Sequence, residues 1–482
     1  MSKEKLAFLG DTGVVFFSLG ATLVTVALFK IFLARILGPE GVGLYSLLLV
    51  FYWIFSLFAN FGQSSAVIKY TAQYKDRPSV LYPLISAALV NALLLGIGIS
   101  VLTFFVSNIL ASLYGRPAMA ELLHILALAF PFTTIYLLLQ GVLQGLRKIK
   151  TYAELQILRA LFLLTFGIIF VIYHTTVKAA VFGLVCTEVI VFVFTLYHTF
   201  PLLLNFKIRE YLHYTHELFS FGGKMFLSVL INKLNYQGDM LILGFFLSDR
   251  MVGYYAVAAS LNRFFWMLPT ALERVSYPVA SSYLAQNKTQ KLYKLVDKCL
   301  KYSAIIMIAL ALITISFGEE IIQLIFGNGF EPSIPVLKIL AVAAVFMGVV
   351  KSLGSLYAAA GRVEVNLFIT TLVTFANILL NLLWIPRFGI MGAAFASLFS
   401  YSLFFTLFSV FLPRVIGYFI PLRWILRLMI LVFTCSTLLG IMSYLSPSHF
   451  PRLFIILLYL IGSWIFLVSG EDKKFIRKIV SE

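Results

Sequence analysis

The sequence predicts an all-α integral membrane protein of about fourteen transmembrane helices, from its composition, the spacing of its apolar runs and the placement of its basic residues. Of its 482 residues, 61% are hydrophobic and only 12% are charged, whereas soluble domains carry about 25% charged residues. The apolar residues form successive runs of roughly 20 residues, the length that crosses a hydrocarbon core of about 30 Å. The predicted spans are 12–36, 43–66, 81–112, 121–145, 153–174, 179–203, 220–247, 252–283, 302–327, 333–360, 364–385, 389–412, 422–446 and 452–469.

The basic residues of the connections lie mostly on one side of the predicted bundle. The chain has 37 Lys and Arg against 20 Asp and Glu, a net charge of +17. On the side opposite the N-terminus, the predicted connections carry only Arg35, Arg116, Lys178, Arg250, Arg387 and Arg452. Because cytoplasmic connections are enriched in Lys and Arg, this alternation predicts a multi-pass protein of the cell membrane with both termini in the cytoplasm.

Two stretches of sequence recur at an offset of about 210 residues. The segment LGPEGVGLY at 37–45 resembles LSDRMVGYY at 247–255, and a second similar pair begins at residues 145 and 360. The offset corresponds to six predicted spans, so both halves would insert in the same orientation, as in transporters built from parallel repeats. We therefore predict an N-terminal lobe of six helices, a C-terminal lobe of six helices, and two extra spans with a cytoplasmic tail. Their ranges are 1–210, 211–415 and 416–482.

Positively charged residues also occur inside the predicted spans, where a charge at the bilayer centre costs at least about 3 kcal/mol. Two of them, Arg159 and Lys338, are expected to reach a membrane surface by snorkelling. The other six are Lys30, Lys224, Lys233, Arg263, Arg274 and Lys351. The carboxylates at comparable depth are Asp239, Glu273 and Glu188. This excess of positive charge predicts a hydrated, electropositive cavity that receives an anionic ligand.

Polar residues follow one face of two predicted spans. At 100° per residue, five polar residues of span 7 fall within a sector of about 80°. They are Lys224, Ser228, Asn232, Asn235 and Asp239. Span 2 carries a neutral stripe of Tyr45, Tyr52, Ser56, Asn60 and Gln63. From these stripes we take Asn60, Gln63, Asn232 and Asn235 as candidate cavity residues; the alternative is that they form interhelical hydrogen bonds that hold a bundle together.

The three intramembrane carboxylates have two possible roles. In a hydrated cavity, Asp239, Glu273 or Glu188 can bind H⁺ or Na⁺ and couple its movement to transport. Alternatively, each carboxylate compensates the charge of neighbouring lysines and arginines. Beyond such a coupling ion, the sequence predicts no cofactor.

Signs of catalysis, metal binding and nucleic-acid binding are absent from the sequence. The six histidines are dispersed, and the three cysteines, Cys186, Cys299 and Cys435, have neither disulfide nor metal-ligand spacing. No phosphate-binding loop is present, which argues against direct ATP drive. No basic segment is interleaved with aromatics in a polar stretch, so nucleic acid is not expected as a partner. The start of the chain lacks a cleavage site typical of a secretory signal. We therefore do not expect an enzyme.

Three segments give the chain a family resemblance: ARILGPEGVGLYSL at 34–47, SFGGKMFLSVLINKLNYQGDMLILGFFLSDRMVGYYAVA at 220–258, and residues 361–397. They resemble the polysaccharide-transporter family, the O-antigen-type lipid-linked oligosaccharide flippases of the multidrug/oligosaccharidyl-lipid/polysaccharide exporter superfamily. The resemblance implies two lobes around a central cavity and delivery of a polyprenyl-diphosphate-linked oligosaccharide to the outer leaflet, by alternating access driven by an ion gradient. In the family-like segment at 34–47, Arg35 becomes a candidate for the diphosphate, together with Lys30 one turn earlier.

Several alternatives stay open beside this resemblance. Lipid II-type flippases also use a basic cavity, and another secondary transporter of an anionic substrate fits the charge pattern. Multidrug extruders handle organic cations, for which a positive interior is a poor host. A membrane glycosyltransferase or polymerase would need a long outer loop bearing acids, and a channel or scaffold needs neither a repeat nor charges in mid-span. The partners implied are membrane lipid, the lipid-linked glycan, and a polysaccharide polymerase or other assembly proteins.

Overall fold

The computed structural model describes residues 3–208, 210–445 and 449–468, together with 470 and 472. Every secondary-structure element in these residues is a helix, which confirms the predicted all-α membrane fold. The ends of the last two predicted spans, at residues 446 and 469, and the basic tail from residue 473 lie outside the described residues. The chain divides into two compact units, of which the first ends at Ala256 and the second begins at Val257.

The first unit is built from long helices that pack side by side. Its helices are α1 (Lys3–Asn60), α2 (Gln63–Tyr74), α3 (Pro78–Leu113), α4 (Pro117–Ala127), α5 (Phe130–Gly145), α6 (Ile149–Tyr173), α7 (Val177–Leu203), α8 (Tyr211–Phe246) and the first part of α9 (Asp249–Phe265). Helix α1 contains the first predicted span and most of the second, and it bends at Gly38, whose φ of 66° lies in the left-handed region that glycine adopts without strain.

Helix α8 belongs to the first unit because it buries apolar side chains there. It packs against α1, α2 and α3. Leu218 of α8 is fully buried in a cluster with Leu84 of α3 and Leu138 of α5. The lobe boundary predicted at residue 210 comes from the internal repeat, whereas the unit boundary after Ala256 comes from packing. The lobe boundary stays a prediction.

The second unit holds the rest of α9 and the remaining helices. They are α10 (Met267–Ala285), α11 (Thr289–Phe326), α12 (Ser333–Lys351), α13 (Leu356–Ala359), α14 (Val363–Phe388), α15 (Ile390–Ile416), α16 (Leu422–Leu445) and α17 (His449–Phe466). Helices α16 and α17 pack together and dock on α11 through a cluster that includes the buried Cys435, Tyr459 and Leu312. The Arg452 guanidinium at the start of α17 donates to the Ser316 carbonyl at 3.0 Å and to the Glu320 carboxylate at 2.9 Å.

Several predicted spans are interrupted by breaks. Helices α4 and α5 form one bent pair with an angle of 48°. Span 2 breaks at Phe61 and Gly62, both with positive φ; span 8 breaks at Trp266, and span 10 breaks over residues 352–355. Such breaks free backbone polar groups, which membrane proteins tolerate only where protein or water satisfies them.

Among the described residues, nine helices are long and apolar enough to cross a membrane, and the bent pair α4 and α5 makes ten. Helix α1 counts once although it contains the first predicted span and most of the second. Helix α8 has 36 residues but carries the polar stripe of span 7, and α17 is a shorter apolar helix. The count of about fourteen therefore stays a prediction.

Candidate functional site

A buried ion pair joins α6 to α7 in the first unit. The Arg159 Nε and Nη2 atoms donate to Oε1 of Glu188 at 3.0 and 2.6 Å. The Glu188 side chain is fully buried, while that of Arg159 is 32% exposed. Thr133 of α5 donates to the other Glu188 oxygen at 3.2 Å. The expectation that Arg159 snorkels to a membrane surface is wrong: it turns inward because a buried carboxylate needs a counter-charge.

One tyrosine from α1 and one from α5 lie beside this ion pair. The Tyr52 hydroxyl hydrogen-bonds to Thr133 at 3.0 Å, so the stripe of span 2 reaches the Glu188 carboxylate through one intermediate side chain. The Arg159 guanidinium lies over the Tyr136 ring, 5.7 Å from its centroid. The guanidinium is therefore held by two partners, the Glu188 carboxylate and the Tyr136 ring.

The rest of the span 2 stripe divides into two kinds of residue. Asn60 caps the break before α2: its amide nitrogen donates to the Ser64 hydroxyl at 2.7 Å, and its oxygen accepts from the Ser64 N–H at 3.0 Å. Gln63, in contrast, is 1% exposed, and neither amide atom has a hydrogen-bond partner among the described residues. The Ser56 hydroxyl is also buried and has no hydrogen-bond partner among the described residues. Buried amides require partners, so this part of the stripe has hydrogen-bonding capacity for water or a ligand.

Lys30 and Asp239 are brought to neighbouring residues of α9. The Lys30 ammonium of α1 donates to the Ala256 carbonyl at 2.6 Å. The Tyr255 hydroxyl donates to the Asp239 carboxylate of α8, whose other oxygen accepts from the Met240 N–H at 2.8 Å. The structure therefore assembles two of the predicted site residues, one cation and one carboxylate, around a single turn of α9.

The other candidates of span 7 differ in exposure. Lys224 and Asn232 are exposed, and Asn232 donates to the Ser228 carbonyl at 2.9 Å. Asn235 is buried, and its carbonyl oxygen has no hydrogen-bond partner among the described residues. The Lys233 ammonium lies 5.3 Å from the Trp53 ring centroid, a cation–π contact between α8 and α1. Arg35, on α1, is exposed.

In the second unit, the breaks of two spans lie close together. Glu273 of α10 accepts a hydrogen bond of 2.6 Å from Ser355, which lies in the break between α12 and α13. Lys351 ends α12, and its ammonium is 5.9 Å from the ring centroid of Trp266, the residue between α9 and α10. Arg263 is half-buried and Arg274 exposed. Lys351 thus ends at a helix break and Glu273 contacts the same break through Ser355; membrane transporters commonly place ion and substrate groups at such breaks.

The sequence analysis did not predict that Arg159 and Arg116 each form a salt bridge with a carboxylate on another part of the chain. Arg159 has its partner 29 residues away on the next helix. Arg116, which we counted only as a basic residue of a connection, forms a salt bridge with Asp249. A signal existed for Arg116, because Asp249 lies in the repeated segment at 247–255. Among the described residues, no three His, Cys, Asp or Glu side chains are grouped to hold a metal ion.

The helical fold and the charged interior define a class: a multi-span membrane protein with a transporter fold. A solved structure of the lipid II flippase MurJ has the same fold, with a TM-score of 0.72, 17% identity, and coverage of 98% of this chain and 100% of that one. The chain belongs to the family of polysaccharide biosynthesis proteins, whose model matches residues 32–335. This match confirms the family resemblance. It includes two of the three segments, 34–47 and 220–258, while residues 361–397 lie outside the matched range.

Two relatives resemble this chain over most of its length. A probable low-salt glycan biosynthesis flippase, Agl15 of Haloferax volcanii, is 24% identical over 371 residues, covering 77% of this chain and 76% of the relative. The lipopolysaccharide biosynthesis protein WzxC of Escherichia coli is 24% identical over 420 residues, covering 86% of this chain and 79% of the relative.

Proposed function

We propose that this protein is a flippase that moves a polyprenyl-diphosphate-linked oligosaccharide from the cytoplasmic to the outer leaflet of the cell membrane. The observation that carries the proposal is the charge balance of the membrane interior. Because Glu188 is engaged by Arg159, the six other intramembrane cations share two mid-span carboxylates, Asp239 and Glu273. A diphosphate supplies the negative charge that such an interior lacks, and Lys and Arg are the side chains that bind phosphate oxygens.

The candidate residues have distinct roles in this proposal. Among the cations Lys30, Arg35, Lys224, Lys233, Arg263, Arg274 and Lys351, the exposed Arg35, Lys224 and Arg274 are accessible to a headgroup. Asn60, Gln63, Asn232 and Asn235 supply neutral hydrogen-bonding groups for the sugar or its hydration. The family relationship supports a glycan as cargo and gives lipid II less support as the substrate.

The intramembrane carboxylates are the candidates for coupling transport to H⁺ or Na⁺. Asp239 and Glu273 each accept a hydroxyl hydrogen bond, from Tyr255 and Ser355, and a hydroxyl can stay in place when a carboxylate gains or loses its ion. Glu188 is the weakest of the three candidates because the Arg159 guanidinium occupies it. In alternating access, binding and release of the ion would drive the motion of the predicted lobes 1–210 and 211–415 against each other. The predicted segment 416–482 would add two spans and a tail.

The same proposal gives expectations for catalysis, location and partners. The protein would act as a transporter without catalysing a covalent reaction, in the cell membrane, with both termini in the cytoplasm. Its substrate would come from glycosyltransferases on the cytoplasmic side. A polysaccharide polymerase or other assembly proteins on the outer side would receive it.

Deletion of the gene in its own cells tests the proposal. The expected result is loss of surface glycan together with accumulation of the lipid-linked oligosaccharide, both reversed by the wild-type chain. Complementation by the Lys224→Ala/Arg274→Ala double variant should fail although the protein reaches the membrane. Normal surface glycan in the deletion strain, with no accumulated precursor, would exclude this function.

A further inference from the structure

Arg116 holds together the junction between α8 and α9. It lies in the connection between α3 and α4, and its side chain is only 10% exposed. Its guanidinium forms a salt bridge with Asp249, the first residue of α9. The same guanidinium donates to the carbonyls of Gly244 at 2.5 Å and Leu247 at 2.7 Å, at the end of α8. One side chain therefore contacts both helices that meet at this junction.

The chemistry of these contacts suits an arginine at a helix junction. The last carbonyls of a helix lack intrahelical donors and carry the negative end of the helix dipole, so a cation is favourable beside Gly244 and Leu247. The guanidinium has five N–H donors in a rigid fork, enough to serve the carbonyls and the Asp249 carboxylate at once. A lysine ammonium is a point charge and cannot reproduce this geometry.

A second contact holds the same junction through backbone alone. A Cβ on Gly43 of α1 would lie 1.8 Å from the Asp249 carbonyl oxygen, and a Cβ on Gly253 of α9 would lie 1.9 Å from the Pro39 carbonyl oxygen. Two glycines therefore allow the helices to approach at a distance that no other residue permits. Arg116 and the Gly43–Gly253 contact converge on residues 244–253 from two separate parts of the chain.

We propose that Arg116, Asp249 and the Gly43–Gly253 contact form a latch that closes the outer end of the substrate pathway. This inference rests on the proposed function. Arg116 and Gly43 belong to the predicted N-terminal lobe, and α8 and α9 begin the predicted C-terminal lobe. By the predicted topology this end of α8 lies on the outer side. Alternating access requires the lobes to separate there before the cargo can reach the outer leaflet.

The polar character of the latch makes it reversible. Asp249 retains 18% exposure and Arg116 10%, so both groups lie close to water. When the latch opens, water replaces the lost hydrogen bonds of the guanidinium, the carboxylate and the two carbonyls. The net cost of opening is therefore far smaller than the strength of the same bonds in isolation, because bonds to water replace those within the protein. The latch thus fits an element with two accessible arrangements.

Distance measurement between spin labels tests the latch without any substrate. Labels would be placed at two exposed residues beside the junction, Leu113 and Met251, in full-length protein whose three cysteines are replaced by alanine. We expect one short distance to dominate in this background. Arg116→Ala should raise the population of longer distances about tenfold, and Arg116→Lys should raise it less, because hydrogen bonds to charged groups are lost in part or in full.

Asp249→Asn provides a second variant that keeps the guanidinium and its carbonyl contacts but removes the ion pair. It should give a smaller increase in the longer distances. The matched control is Arg387→Ala, which removes an exposed arginine at the end of α14. If Arg116→Lys, Asp249→Asn and every folded Arg116→Ala sample show the distances of the control, the latch is refuted.

The outcomes for the latch and for the proposed function can be separated. Longer distances in the Arg116 variants, in a protein whose wild-type form moves no lipid-linked glycan, would support the latch and refute the flippase. Unchanged distances in an active flippase would refute the latch alone.

Discussion

The guanidinium of Arg159 donates two hydrogen bonds to a single oxygen of Glu188, a carboxylate with no exposed surface. The pair cancels two opposite charges at a depth where either alone would be expensive. It also removes Glu188 from the acids available to the other intramembrane cations. This relationship strengthens the excess of positive charge from which the function was inferred.

Removal of Arg159 alone should destabilise the protein strongly. Arg159→Ala leaves the buried Glu188 without its counter-charge, so we expect the free energy of unfolding to fall by about 3 kcal/mol. The double variant Arg159→Met/Glu188→Leu should recover most of this loss, because no buried charge remains. Thermal unfolding of purified protein in detergent measures both, with Lys148→Ala as a surface control. A melting temperature of Arg159→Ala equal to that of the control would show that the pair is unimportant.

Removal of the exposed intramembrane cations should impair transport and leave folding intact. Lys224→Ala and Arg274→Ala each delete one partner of the proposed diphosphate, and we expect about tenfold slower translocation at low substrate concentration. Neither side chain is buried, so insertion and melting temperature should stay close to wild type. Initial transport rates at several substrate concentrations provide the measurement. Wild-type rates in both variants would rule out a substrate role for these cations.

Neutralisation of Asp239 should separate transport from its driving ion. Asp239→Asn keeps the shape of the side chain and a hydrogen bond with Tyr255, but it can neither bind a proton nor contribute a charged ligand to Na⁺. We expect translocation by this variant to become independent of an imposed pH or Na⁺ gradient. The comparison is Glu273→Gln, which likewise removes the charge and keeps a hydrogen bond with Ser355. An unchanged dependence on both gradients in Asp239→Asn would assign coupling elsewhere.

The close contact of α1 with α9 should not tolerate a methyl group. A Cβ at Gly253 would meet a backbone oxygen at 1.9 Å, and backbone cannot rotate away as a side chain can. We expect Gly253→Ala to lower the free energy of unfolding by about 1–3 kcal/mol. Gly98→Ala, where nothing lies within 4 Å of the added carbon, should raise it by about 0.5–1 kcal/mol. Thermal unfolding of the pair distinguishes steric conflict from a general effect of alanine.

The sequence predicted the helices well because most spans are continuous apolar runs. Helix α3 (Pro78–Leu113) and helix α6 (Ile149–Tyr173), for example, enclose the predicted spans 81–112 and nearly all of 153–174. The breaks were harder to predict. The break at Trp266 was missed although Pro269 follows three residues later. Proline has no N–H to donate to the carbonyl four residues earlier and its ring crowds that carbonyl, whereas hydropathy records neither effect.

The charged residues of the site were predictable as a set, and their pairings were not. Hydropathy alone places Lys30 and Asp239 inside predicted spans, because a charge stands out in an apolar run. That Lys30 contacts the Ala256 carbonyl, 226 positions away, depends on which helices are neighbours. For the same reason, the sequence placed Arg159 at a membrane surface, whereas it pairs with the buried Glu188.

The most direct test is translocation by the purified protein in proteoliposomes under an imposed ion gradient. Two fluorescent substrates would be compared: a polyprenyl-diphosphate-linked oligosaccharide, and a polyprenyl glycoside that carries the same sugar without the diphosphate. A membrane-impermeant quencher reports the fraction that reaches the far leaflet. We predict that the wild-type protein moves the diphosphate substrate well above the rate of empty vesicles and leaves the neutral lipid where it is. Equal movement of the two lipids, or of neither, would contradict a flippase that recognises an anionic headgroup through its intramembrane cations.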